Sequence, residues 1–281
     1  MNELEVITND KNASVTEQIT RGEIDAQVAT AKRYPRNVAK SANAMMTFAT
    51  MNEEVAESCF YALPRGGKTI KGPSIRLAEI ALATYQNIRA GSRVVDVDRA
   101  NGAVTVQGVA HDLENNNAVT FEKRRQIQRK RGSNTYDEDM ITLASNAGGS
   151  IALRDALFKV IPGAVWKPVY EACVKIAIGD AKTFSSKRDR IVDKLKTMGV
   201  KEANIPLVCG KQKISELVLD DLETLIGLGT AMKEGEITVE NAFPDPKVET
   251  KISLGEKPKA EEKPAAETTP ATKEATDEKS E

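Results

Sequence analysis

The chain has 281 residues, 40% of them hydrophobic and 29% charged, and its 40 Lys and Arg against 41 Asp and Glu give a net charge of -1. Such a chain can bury a sizeable core. A single histidine, His111, argues against zinc hydrolases and Ser-His-Asp or Cys-His catalysts, which need imidazole in partnership with other groups. The cysteines (Cys59, Cys173 and Cys209) are far apart, so neither a disulfide framework nor a zinc cluster is indicated. We expect no metal, no cofactor and no enzymatic activity.

The cellular location is predicted from apolar patterning. No apolar run approaches the roughly 20 residues needed to cross a bilayer, and the acidic first residues do not form a secretory signal. We therefore expect a cytoplasmic protein with no membrane partner.

Composition divides the chain into four parts. Residues 1–20 are polar and aperiodic and are interpreted as a flexible arm, whereas residues 21–180 carry the patterns of an α+β core. Residues 181–244 are interpreted as a small helical module. Residues 245–281 are rich in Pro, Ala, Thr, Lys and Glu, and they are predicted to form a disordered tail because they cannot bury enough apolar surface.

The first elements in chain order are helical. Apolar residues recur at three- and four-residue steps over residues 21–63, which predicts two helices separated by Tyr34-Pro35. Residues 64–73 are interpreted as a loop. Ser74 is a suitable N-cap for the next helix, which we expect to end near Gly91 and to serve as the central core helix.

Residues 94–97, 103–110 and 118–128 predict three strands of an antiparallel meander. Asn101-Gly102, between the first two strands, tolerates the positive φ angles of a type I′ turn. In the third strand Lys123 and Arg125 point to one face, while Arg124 and Lys130 point to the other. That second face is wholly polar, so we expect it to look at solvent or at a ligand.

The sequence of the second half of the chain predicts helices. Residues 137–159 predict a helix in which Gly148-Gly149 costs roughly 1 kcal/mol per glycine, so either the helix breaks there or a backbone or ligand comes close. A further helix is predicted over residues 167–178. Residues 225–231 are interpreted as a Gly-apolar-Gly turn between helices of the C-terminal module. The predicted fold is α+β, with a three-stranded antiparallel meander packed on helices.

The strongest functional signal is local charge. Between Phe121 and Arg131 the chain places six Lys and Arg against one Glu, although the whole chain is almost neutral. Lys68, Lys71 and Arg76 form a second basic patch. Lys and Arg neutralise phosphates and release counterions without base contacts. Because only 4% of the residues are aromatic, the composition favours tracking of a nucleic-acid backbone over stacking of bases.

Three segments resemble the single-strand annealing proteins, a group that includes the phage RecT, Red-beta and ERF families. They are Val94-Val95-Asp96-Val97 with Asn101-Gly102, then Thr105-Val106-Gln107-Gly108-Val109-Ala110, and the helix Ala152-Leu153-Arg154-Asp155-Ala156-Leu157-Phe158. The resemblance covers residues 71–162 and is one of pattern more than of identity. Asp155 departs from it, because relatives often carry a basic residue at that position.

The resemblance implies ATP-independent binding of single-stranded DNA and annealing of complementary strands in homologous recombination. The expected location is the cytoplasm of a bacterial cell, and the gene could be of phage or of host origin. It implies a homo-oligomeric ring or filament, and a C-terminal module that engages an exonuclease or a single-strand binding protein. Strand and helix edges would form the positive groove. The candidate DNA-binding residues are Lys68, Lys71, Arg76, Lys123, Arg124, Arg125, Arg129, Lys130, Arg131, Arg154 and Lys159.

Two other functions stay open. Residues 62–69 fit a relaxed phosphate-loop spacing, so a RecA-like or helicase-type ATPase could use Gly67-Lys68-Thr69. A phosphate loop needs a helix that starts at the Gly-Lys-Thr, and Gly72-Pro73 would break such a helix. The third possibility is a non-enzymatic scaffold protein.

Overall fold

Three helices open the described chain, which comprises residues 15–66, 68–127 and 137–245 of a computed structural model. They are α1 (Val15–Arg33), α2 (Val38–Ala49) and α3 (Glu53–Ser58). The predicted break at Tyr34-Pro35 is confirmed, and α3 is an additional helix. The predicted arm is wrong for residues 15–20, which begin α1, and residues 1–14 lie outside the described residues.

A buried arginine fixes the connection between α1 and α2. Arg36 donates from Nε to Glu114 Oε1 at 2.8 Å and from Nη2 to Asp112, and its guanidinium lies 4.3 Å from the ring centroid of Tyr85. Burial acts to raise the pKa of Glu114, but hydrogen bonds from Asn87 and Arg36 outweigh it and lower that pKa. The connection between α1 and α2 is therefore held against the segment that contains Asp112 and Glu114.

A two-stranded hairpin follows, formed by β1 (Phe60–Arg65) and β2 (Lys68–Pro73) in antiparallel register. The loop predicted for residues 64–73 is therefore wrong. Phe60 and Ala62 are fully buried, so packing against the rest of the molecule stabilises a strand whose local sequence is a weak strand former. Gly66 supplies a positive φ of 57° at the turn.

The central helix α4 spans Ile75–Tyr85 and begins as predicted. The Ser74 hydroxyl accepts from the backbone N–H of Arg76 at 3.1 Å and of Leu77 at 3.4 Å, which is the geometry of an N-cap. The helix ends six residues before Gly91. Gln86 and Asn87 have positive φ angles of 67° and 51°, and the next strand begins directly after them.

The predicted meander is confirmed as a three-stranded antiparallel sheet of order β3 (Ile88–Asp98), β4 (Ala103–Asp112) and β5 (Asn117–Gln126). The predicted turn type is wrong. A type I′ turn has positive φ angles at both Asn101 and Gly102, and here only Gly102 has one. The Asp98 carboxylate instead accepts from the Asn101 backbone N–H at 2.9 Å.

Helix α5 (Glu138–Val160) lies across one face of this sheet. It runs unbroken through Gly148 and Gly149, where a Cβ would come within 3.0 Å of Val106 Cγ2 and 2.9 Å of Ser92 Oγ. A Cβ on Gly108 of β4 would lie 2.3 Å from the Ala152 backbone. The helix does not break at the glycine pair, and the groups that come close there are side chains of the sheet, not the backbone or ligand that the sequence predicted.

The remaining helices are α6 (Gly163–Ile178), α7 (Phe184–Thr197), α8 (Leu219–Lys233) and α9 (Val239–Ala242), with three 3-10 turns between α7 and α8. The turn predicted over residues 225–231 is wrong, because these residues lie inside α8. A Cβ on Gly227 would lie 2.6 Å from the Ala62 backbone nitrogen. Glycine at this position lets β1 pack directly on α8.

The helical C-terminal segment shares a core with the rest of the chain. Phe60 and Ala62 of β1 and Ala177 of α6 belong to one buried cluster with residues of α7, α8 and α9. The domain boundary predicted between residues 180 and 181 therefore falls inside a shared core. Within the predicted tail, residues 246–281 lie outside the described residues.

Candidate nucleic-acid interface

The predicted alternation along β5 is present. Residues 119, 121, 123 and 125 are half-buried, and the residues between them are exposed. Arg124 is on the exposed face, where Nη2 lies 2.7 Å from Asp98 Oδ2 and the side chain is 49% exposed. Lys123 is on the other face, with Nζ 2.9 Å from Asp155 Oδ2. Both cations therefore have a carboxylate partner within the chain.

Arg125 is half-buried and has a different environment. Its Nη2 donates to the backbone carbonyl of Gly235 and, at 3.2 Å, to that of Glu236. Burial lowers the pKa of Arg125, although the Glu236 carboxylate counteracts it. This side chain joins β5 to the segment between α8 and α9.

Arg154 is the most buried of the predicted DNA-binding residues that the structure describes, with a side chain 7% exposed. Its Nη1 lies 2.5 Å from Glu236 Oε1, and its guanidinium lies 4.4 Å from the centroid of the Tyr61 ring. Burial raises the pKa of Glu236, and Arg154 acts in the opposite direction. The burial of Arg154 argues against the predicted contact with DNA and indicates a structural role.

Two members of the second basic patch, Lys71 and Arg76, are paired with acids. Lys71 Nζ lies 2.8 Å from Glu223 Oε2. Arg76 donates to both carboxylate oxygens of Glu234 at 2.9 Å and to Glu79 at 2.8 Å. Such solvent-accessible pairs contribute only about 0–1 kcal/mol. A phosphate group could therefore replace the carboxylate with little loss of stability.

The tip of the β1–β2 hairpin carries two further cations, Arg65 and Lys68. Lys68 is exposed and lies opposite Arg65 in the strand register. Among the described residues, neither forms an ion pair. The sequence prediction included Lys68 but missed Arg65, because it treated these residues as a loop. The Arg-Gly-Gly-Lys sequence is a two-glycine hairpin signal that could have identified the pair.

Lys159 is exposed on α5, and it also has no ion pair with any described residue. The predicted residues Arg129, Lys130 and Arg131 lie outside the described residues, as does Gly67. The chain on either side of the basic run is anchored, because Ile127 and Ile141 are buried in one apolar cluster.

The hairpin geometry argues against a phosphate loop at Gly67-Lys68-Thr69. Lys68 and Thr69 begin strand β2, and the next helix starts only at Ile75. A phosphate loop holds its ligand on the free amides of a helix that begins at the Lys-Thr. Lys68 and Thr69, the described residues of this motif, lie in a strand and do not supply the free amides of a helix N-terminus.

In the described ranges, no group of three or more His, Cys, Asp or Glu is arranged to hold a metal ion. No helix there is long and apolar enough to cross a membrane. Comparison of the chain with protein-family models, curated proteins and solved structures finds no match.

Proposed function

We propose that the protein binds single-stranded DNA through its phosphates, without ATP, and anneals complementary strands. The observation that carries this proposal is the pair of exposed cations, Arg65 and Lys68, at the tip of a hairpin, where neither forms an ion pair with any described residue. A charged group that is not neutralised within the protein is free to replace the counterions of a nucleic acid.

Other cations are further candidate contacts, and Lys123 and Arg124 among them lie on opposite faces of β5. Lys71, Arg76, Lys123 and Arg124 are held in solvent-accessible ion pairs that a phosphate can exchange. Lys159 is exposed on α5 and is a further candidate for the proposed DNA surface, whereas a contact by Arg129-Lys130-Arg131 stays a prediction from the sequence. We leave Arg125 and Arg154 out of it, because both are engaged by the segment between α8 and α9.

Among the described residues, the exposed aromatic side chains are Tyr34, which follows α1, and Phe48 of α2, and neither lies on the β1–β2 hairpin. Tyr61 is covered by Arg154, and the Tyr85 ring lies against Arg36. The rings of Phe158 and Trp166 pack on each other, with centroids 4.7 Å apart. Proteins that hold single strands by stacking need accessible aromatic faces. Binding through phosphates leaves the bases exposed and able to pair, as annealing requires.

Assembly is part of the proposal. The surface of one protomer can hold only a few nucleotides, which are too few for stable pairing of two strands. We therefore propose that the active form is a homo-oligomeric ring or filament. The helical segment that includes α7 and α8 is the proposed contact for an exonuclease or a single-strand binding protein.

The proposal is tested by equilibrium binding to fluorescent oligonucleotides at several salt concentrations. If about five phosphates are neutralised, the slope of log affinity against log salt should be about -3 to -4. The affinity should not depend on base sequence or on added ATP. Affinity that ignores salt would contradict the proposal, and no binding to any oligonucleotide would favour the scaffold alternative.

A further inference from the structure

The face of the three-stranded sheet that points away from α5 carries a shallow depression of about 450 Å³, bordered by Ile24 of α1. The strand register places Arg89 opposite His111, Gly91 opposite Val109, and Arg93 opposite Gln107. All six of these residues line the depression, and no carboxylate is among the described residues that do so.

The positive charges of the two arginines are not neutralised by any described carboxylate. Arg89 Nη1 donates to Gln27 Oε1 at 3.2 Å, and Arg93 Nε donates to Gln107 Oε1 at 3.0 Å. Both acceptors are neutral amides, which orient a guanidinium without neutralising it. The neighbouring acid, Glu122, accepts from Gln107 Nε2 at 3.2 Å, and among the described residues neither arginine forms an ion pair.

The floor of the depression is open enough for a polymer backbone. A Cβ built on Gly91 would meet no atom within 4 Å, and the neighbouring outward side chains of Val109 and Ala118 are small. Arg89 and Arg93 are four residues apart on one strand, which is about 13 Å at ~3.3 Å per residue. This separation suits two phosphates of one chain better than a single small anion.

We infer that this outward face, defined by Arg89, Arg93 and the depression between them, binds the phosphodiester backbone of a nucleic acid. The site lies on the side of the sheet opposite α5 and includes none of the residues predicted from the sequence. The inference rests on the proposed function. The bound backbone is either a continuation of the strand held at the hairpin or a second strand.

The test uses the full chain, an Arg89→Gln/Arg93→Gln variant and a charge-matched Lys175→Gln/Lys182→Gln control. Glutamine keeps hydrogen-bonding groups but removes the charge, and thermal melting checks that each variant is folded. Binding of a labelled single strand is measured by fluorescence anisotropy across salt concentrations. If the outward face holds a continuation of that strand, the arginine variant should lose two phosphate contacts, so the salt slope falls by about 1.4 and the affinity by more than about tenfold.

A second experiment tests whether the outward face binds a second strand. Protein loaded with one labelled strand receives a non-complementary strand with a different label, and uptake of the second strand is followed by energy transfer. If the outward face holds a second strand, the parent and the control take it up and the arginine variant does not, while its affinity for the first strand is unchanged.

The outcomes separate the two proposals. If the parent binds no oligonucleotide, the proposed function itself fails. If the parent binds DNA and a folded arginine variant matches it in salt slope and in uptake of the second strand, the proposed function stands and the outward site is overturned. Loss in either arm, with the lysine control unaffected, supports the site.

Discussion

Replacement of Arg154 by alanine should destabilise the protein by about 3–5 kcal/mol, because it leaves Glu236 buried without its partner. The Glu236 side chain is only 3% exposed, and the contact of Arg154 with Tyr61 would also be lost. Chemical denaturation measures the change in the free energy of unfolding. This is the largest stability effect that we expect from any of the predicted DNA-binding residues.

The control for this prediction removes both charges. An Arg154→Met/Glu236→Leu variant removes both members of the buried pair, so the loss should be smaller than in Arg154→Ala. A folded Arg154→Ala variant that loses less than about 1 kcal/mol yet binds DNA poorly would contradict the structural role. It would place Arg154 back at the DNA surface, as the sequence predicted.

Removal of the two hairpin-tip charges should weaken binding of single-stranded DNA by more than about tenfold and reduce the salt slope by about 1.4. The variant is Arg65→Gln/Lys68→Gln. Both side chains are exposed, and among the described residues neither forms an ion pair, so stability should change by less than about 0.5 kcal/mol. Fluorescence anisotropy at several salt concentrations measures the affinity and the slope.

A Lys71→Gln/Arg124→Gln variant is the matched control, because it removes the same charge from residues already paired with Glu223 and Asp98. A phosphate gains less from a cation that must first release a carboxylate, so the affinity should fall by about threefold at most. Equal losses in the two variants would show that binding depends on total charge and not on the hairpin tip.

The central sheet and the long helices could be predicted because their signals are local. Alternating residues and the Asn-Gly pair predicted the β3–β4 hairpin, and Ser74 predicted the start of α4. The burial pattern of β5 also follows its sequence alternation. Each of these features depends on residues that are close together in the chain.

Some errors concern local signals, namely the two-glycine tip of the β1–β2 hairpin and the turn at Asn101-Gly102, and others occurred where distant contacts decide the structure. The β1 strand forms because Phe60 and Ala62 pack on α8, which is more than 150 residues away in the sequence. Gly227 signals close approach of a neighbouring strand rather than a turn, and the single sequence does not distinguish these uses of glycine. The burial of Arg154 could not be predicted, because its partner, Glu236, lies 82 residues away and is not visible from local sequence.

The candidate interface was predicted in part for the same reason. The basic composition of β5 and of the hairpin is readable from the sequence, but the acids that pair with each cation are not. The structure separates cations in exposed pairs, such as Arg124, from a buried one, Arg154, and it adds Arg65 opposite Lys68.

The central claim is annealing, which asks more of the protein than binding. The direct measurement is the rate at which two complementary oligonucleotides pair in the presence of the 281-residue chain and without ATP. One oligonucleotide carries a fluorophore and the other a quencher. The account predicts pairing clearly faster than the spontaneous reaction, because bound strands expose their bases and repel each other less. Pairing no faster than the spontaneous rate, at protein concentrations that saturate both strands, would contradict it.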